Sequence, residues 1–164
     1  MWDSVIAVVG TLAGGLVGNL AQLRGARSER RETRGEARRT EALSAVTGLV
    51  AALADHRRAM WQFEDAKLTG KPEQVVAELL AVKHGTRSAI NAPMTTVTIL
   101  APVLAAAARK AAQASYDMRN AADLDDLEHQ RADALTACDA FTAAAAEFFA
   151  GVGVVVREGS KFRS

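Results

Sequence analysis

The sequence predicts an all-α protein, with a single N-terminal transmembrane helix followed by an antiparallel bundle of about four helices. Three observations lead there. Alanine, the strongest helix former, supplies much of a 49% apolar content, while proline occurs only 3 times. No charged residue stands between Ser4 and Leu23. From Thr40 onward the apolar residues recur at spacings of three and four.

The uncharged run is about 30 Å long at the helical rise of ~1.5 Å per residue, which matches the hydrocarbon thickness of a bilayer. Trp2 suits an interfacial anchor. Asp3 lies on one side and Arg24, Arg27, Arg30 and Arg31 crowd the other, so the charge rule places the N-terminus outside and the bulk of the chain in the cytoplasm, at the inner membrane. No basic residue precedes the run, which argues against a cleaved leader. On a helix, Gly10, Gly14 and Gly18 form one ridge, with Val5, Val9, Leu12 and Leu16 opposite. Small residues four apart allow the close backbone approach on which helix association in lipid depends. The ridge therefore reads as a self-associating, homo-oligomeric anchor. The alternatives are a lone spanning helix with a glycine-rich composition and a soluble helix buried in the bundle.

Beyond the anchor, residues 24–40 read as a helical stalk. The segment from Arg24 to Arg39 holds seven arginines against three glutamates, although the whole chain carries a net charge of only +1. Arg24, Arg27, Arg31, Arg34 and Arg38 share one face. Such a stripe can lie on anionic headgroups or track a nucleic-acid backbone, or serve only as a solvated topology signal. No aromatics are interleaved, so base stacking is not indicated.

The bundle is expected over residues 41–150. A first helix runs to Leu68 with Leu43, Val46, Val50, Leu53 and Met60 inward; Gly70 and Pro72 stop it and start a second. The second carries Val75, Val76, Leu79, Leu80 and Val82, and Pro93 interrupts it. "MTTVTIL" (94–100) has strand propensity, but a lone strand would lack a partner, so a short buried helix is expected. Pro102 opens a third long helix to about Arg119. Asp123 caps the last, whose face is read as Leu124, Leu127, Arg131, Leu135, Cys138, Phe141 or Thr142, Ala145, Phe148 and Phe149. Gly151 and Gly153 are expected to end it, leaving 151–164 as a tail of no assigned order.

Catalytic signatures are missing. His56, His84 and His129 lack the local spacing of a zinc site, and Cys138, the single cysteine, sits on an apolar face. The carboxylates Asp125 and Asp126 belong to a helix N-terminus. No phosphate-binding glycine loop is present. No enzyme, metal or cofactor is therefore expected. Arg57, Arg58, Arg87, Asp117 and Arg119 interrupt apolar stripes and suggest an ion-pair network that fixes helix register.

At these clusters the chain resembles a known family. The glycine-bearing apolar segment, the arginine stalk, "ALSAVTGLVAALADHRRAMWQFEDAKLTG", "HGTRSAINAP" and "SYDMRNAADLDDL" resemble the KilB-type proteins of Streptomyces conjugative plasmids and integrated elements. The resemblance covers nearly the whole chain. It implies a membrane-associated accessory of plasmid transfer, concerned with spreading DNA within the recipient mycelium, with plasmid transfer proteins as partners and no catalytic residues. A small pore-forming or phage-type lysis protein and a soluble helical adaptor are the competing functional readings.

Overall fold

A computed structural model describes the backbone of residues 2–161 and the side chains of residues 33–151. The chain divides into two units, residues 1–40 and 41–164. The transmembrane reading of 1–23, the ridge of Gly10, Gly14 and Gly18, and the side chains of Arg24, Arg27 and Arg31 lie outside the described side chains. Among the described residues, no helix is long and apolar enough to cross a membrane.

Every element is helical, and no strand occurs among the described residues. Helix α1 runs Trp2–Leu68, α2 Glu73–Ala89, α3 Asn91–Leu100, α4 Ala105–Tyr116 after a single 3-10 turn at Pro102–Leu104, and α5 Leu124–Lys161. Within the second unit the contacts trace an up-down-up-down path. His56 of α1 meets Thr86 of α2, and Gly48 of α1 faces Pro93 of α3, so α2 and α3 together form one descending arm. Trp61 bonds Glu128, while Val46 and Ala145 line one groove, which sets α1 and α5 antiparallel. Met118, just past α4, packs with Met60 of α1 and Leu127 of α5.

Local chemistry sets the breaks. Gly70 adopts φ +64°, a left-handed conformation that a side chain disfavours, and the amide of Lys71 bonds back to Ala66 to close α1. The Asp123 carboxylate accepts from the Asp126 amide at 2.8 Å, and the Asp126 carboxylate accepts from the Ala122 amide at 2.9 Å. The reciprocal pair satisfies amides that the first turn of α5 cannot.

The core is built around Leu49, Leu53, Ile90, Val97, Leu104 and Phe141, with alanines between them. Ala108, Ala111 and Ala134 are wholly buried, and their small side chains allow the helices to approach closely. This corrects several expected faces. Leu43, Leu124 and Leu135 stand exposed, whereas Ala42, Ala45, Ala134 and Ala137 are buried beside them. Alanine fits the close helix contacts, and the larger leucines fall to the rim. Helix α2 buries no residue at all, despite its apolar spacing. The short helix read at "MTTVTIL" is present as α3, yet only Val97 of it is buried. Helix α4 stops at Tyr116 rather than Arg119, and α5 continues through Gly151 and Gly153 to Lys161, so glycine in mid-helix weakens α5 without ending it.

Candidate functional site

The polar clusters of the second unit separate into two concavities. The first, of about 420 Å³, is lined by Arg57, Arg58, Trp61, Gln62 and Arg131, with Ala54 and Leu135. Each charge there is held locally. Arg58 pairs with Asp55 at 3.5 Å, Arg131 with Glu128 at 3.3 Å, and the Trp61 indole donates to Glu128 at 2.9 Å. Arg57 is the exception, since its Nη1 is buried with no hydrogen-bond partner.

The second concavity, of about 260 Å³, lies where α1, α2 and the end of α4 meet. His56 and Met60 come from α1, Lys83, His84 and Arg87 from α2, and Tyr116 and Arg119 from α4 and the turn beyond it. The helical period explains the set. Lys83 and Arg87 are four residues apart and share a face, as do His56 and Met60. The Arg87 guanidinium lies 4.0 Å from the centroid of the Tyr116 ring, and the His56 ring meets Tyr116 edge to face at 5.4 Å. The Lys83 ammonium stands 3.8 Å above the Phe63 ring. Arg119 is tied to Asp117 at 3.8 Å, with both side chains largely exposed.

Two titratable groups experience this environment most. His56 is 1% exposed, and its pKa is lowered to about 4, first by burial and then by Arg87 and Lys83. Burial also pushes the Lys83 ammonium below its ordinary value; Glu64 opposes that shift, while Lys67 and Arg87 add to it. Glu64 itself is buried at 2% exposure and accepts from Lys67 at 3.0 Å.

The five residues read as one ion-pair network are thus distributed. Arg57 and Arg58 line the first concavity and Arg87 and Arg119 the second, with Asp117 bonded to Arg119 and to Gln113 at 2.8 Å. Arg34 and Arg38 of the stripe are exposed. Sequence reasoning considered His56 only as a metal ligand and passed over Lys83. A signal was available, because Leu49, Leu53, His56, Met60 and Phe63 follow a three-four period that threads the histidine into the core stripe. Cys138 is buried and free. Among the described residues, no three His, Cys, Asp or Glu side chains are placed to hold a metal ion.

Residues 43–149 match the family model of the KilB plasmid transfer protein. The chain belongs to the KilB plasmid transfer protein family. It is 51% identical over 149 residues to Protein KilB of Streptomyces lividans, an alignment covering 91% of this chain and 99% of that protein. The KilB match spans the stretch of α1 inside the bundle, all of α2 to α4, and α5 to Phe149, so both concavities fall within it. No solved structure matches the chain.

Proposed function

We propose that this chain is a non-enzymatic, membrane-anchored accessory protein of conjugative plasmid spread that self-associates through its glycine-rich N-terminal helix. Its membership of the KilB plasmid transfer protein family carries the reading. The sequence of the N-terminal unit supports the anchor, since Ser4 to Leu23 holds no charge and ends against arginines. The bundle then stands in the cytoplasm and meets other plasmid transfer proteins. Arg24, Arg27, Arg31, Arg34 and Arg38 contact anionic headgroups or, near the transferring plasmid, nucleic acid.

Fractionation of a tagged chain in a mycelial host tests the anchor, and plasmid spread through recipient mycelium tests the role. The reading expects the protein in the membrane fraction, released by detergent and not by salt, with spread reduced when residues 2–23 are deleted. Recovery wholly in the soluble fraction, with spread intact after that deletion, would refute it.

A further inference from the structure

Residues 88–108 carry no charge, and the run from Ser4 to Leu23 is the chain's only other uncharged stretch of such length. The stretch folds as the end of α2, all of α3, the 3-10 turn at Pro102–Leu104 and the first turn of α4. Within the second unit α3 descends past Gly48 of α1, so the α3–α4 corner lies at the Glu41 end of the bundle. Val97, Ala101, Leu104, Ala105 and Ala108 are buried there. Ile99 and Val103 are left outside at 70% and 69% exposure, the highest of any large hydrophobic residue among those described. Pro102 beside Val103 is exposed as well.

Clustered exposed apolar residues mark a surface that meets something apolar. The polar groups of this corner are already satisfied from within. The hydroxyls of Thr95, Thr96 and Thr98 donate to the carbonyls of Asn91, Ala92 and Met94 at 2.8, 3.1 and 2.8 Å. The amides of Ala101 and Leu104 donate to Val97 and Ala101 at 2.9 Å each, and Pro102 has no amide hydrogen. These groups can leave water without being stranded, which is what an apolar lipid phase demands.

A protein partner fits less well. Protein interfaces carry about one hydrogen bond per 100–200 Å², and these threonines direct their donors into their own helix. Three side chains also fall far short of the roughly 800 Å² that each partner of a stable complex buries. Charge points the same way. Arg109 and Lys110 follow on α4, both exposed, and among the described residues neither makes an ion pair. At the helical rise of ~1.5 Å per residue they stand about 10 Å behind Val103, close to the depth to which an interfacial apolar face sinks. Immersion of the corner therefore brings both cations to the level of anionic headgroups.

We propose that the α3–α4 corner inserts into the interfacial layer of an anionic bilayer, with Ile99, Pro102 and Val103 immersed and Arg109 and Lys110 on the headgroups. The corner does not cross the bilayer; it docks the bundle on the surface. The contact belongs to the bundle and does not rest on the N-terminal anchor.

The full chain in vesicles of phosphatidylglycerol and phosphatidylcholine tests it, with a nitrobenzoxadiazole label at Val103→Cys in a Cys138→Ala background. The label should show the blue-shifted, long-lived emission of an apolar site and be quenched by nitroxides carried on the lipid. A label at Val82→Cys, on the exposed side of α2, should stay aqueous. Arg109→Gln and Lys110→Gln should each lower the ratio of immersed to aqueous label about fivefold at low salt, as expected for one basic residue at an anionic surface. Ile99→Asp should return the Val103 label to water. Carbonate extraction reads the N-terminal anchor separately, and a Val103 label that stays aqueous overturns the proposal whether or not carbonate leaves the chain on the vesicles. Shielding that rises with protein at fixed lipid, without nitroxide quenching, assigns the corner to a second copy and equally overturns it. Should Cys138→Ala fail to fold, amide exchange of the unmodified chain decides. Anionic vesicles must then slow residues 99–104 more than neutral ones do, and equal rates refute the contact.

Discussion

Burial of a neutral histidine makes the bundle sensitive to mild acid, and His56 sets the size of the effect. Its folded pKa of about 4 lies below the unfolded value of 6.5, so the unfolded chain binds the proton more readily. Stability from this group is fully present above pH ~6.5 and is lost as the pH falls from there toward ~4. The full difference corresponds to about 3 kcal/mol, at 1.36 kcal/mol per pKa unit. About 2 kcal/mol of it is expected to disappear between pH 7.5 and pH 5, a range in which carboxylates remain mostly ionised. Urea unfolding followed by Trp61 emission, in a Trp2→Phe background, reads the loss as a midpoint shift of about 1 M for a slope near 2 kcal/mol/M. His56→Phe supplies the control, because it keeps a ring against Tyr116 but has nothing to protonate. Parallel pH profiles for the two proteins would refute the reasoning, since His56 would then titrate equally in both states.

Other expectations follow from the packing. Phe141 is fully buried among alanines that cannot swell to refill its volume, so Phe141→Ala should cost about 4 kcal/mol in the same unfolding assay. The half-buried Phe148 should cost clearly less on truncation. Gly85 lies inside α2 with nothing within 4 Å of an added Cβ, so Gly85→Ala should raise stability by about 0.5–1 kcal/mol. Gly70→Ala should lower it by about 1 kcal/mol, because φ +64° penalises any side chain; equal effects at the two glycines would contradict both arguments. Gly14→Leu should weaken cross-linked oligomers in detergent if the glycine ridge packs helix to helix, and unchanged cross-linking would dismiss that role.

Helix content and most helix boundaries were legible because they depend on local chemistry. Gly70 and Pro72, Pro102, and Asp123 with Asp126 act on their own neighbours, and the breaks fall beside them. Faces were harder to read. Leu135 looks like a core residue and Ala134 like a spacer, but helix separation decides, and no residue encodes that distance alone. The Gly151 and Gly153 boundary failed for a related reason: a glycine lowers helix propensity without imposing a stop. The polar clusters were visible as anomalies in apolar stripes, but while their ion pairs are local, the contacts that join them across helices link residues far apart in the chain. His56 finds Thr86 and Trp61 finds Glu128 only once α2 and α5 have docked.

Helix α2 buries none of its residues, and much of its hold on α1 is polar: an imidazole on a hydroxyl and an ammonium over a phenyl ring. Such an arm opens at a free energy below that of the whole bundle, so its amides should exchange with solvent before those of α4 and α5. The helix that carries Lys83 and Arg87 is therefore held less firmly than the helices it faces. Any contact that α2 makes beyond the bundle would be written into that exchange rate, since its own packing does so little to slow it.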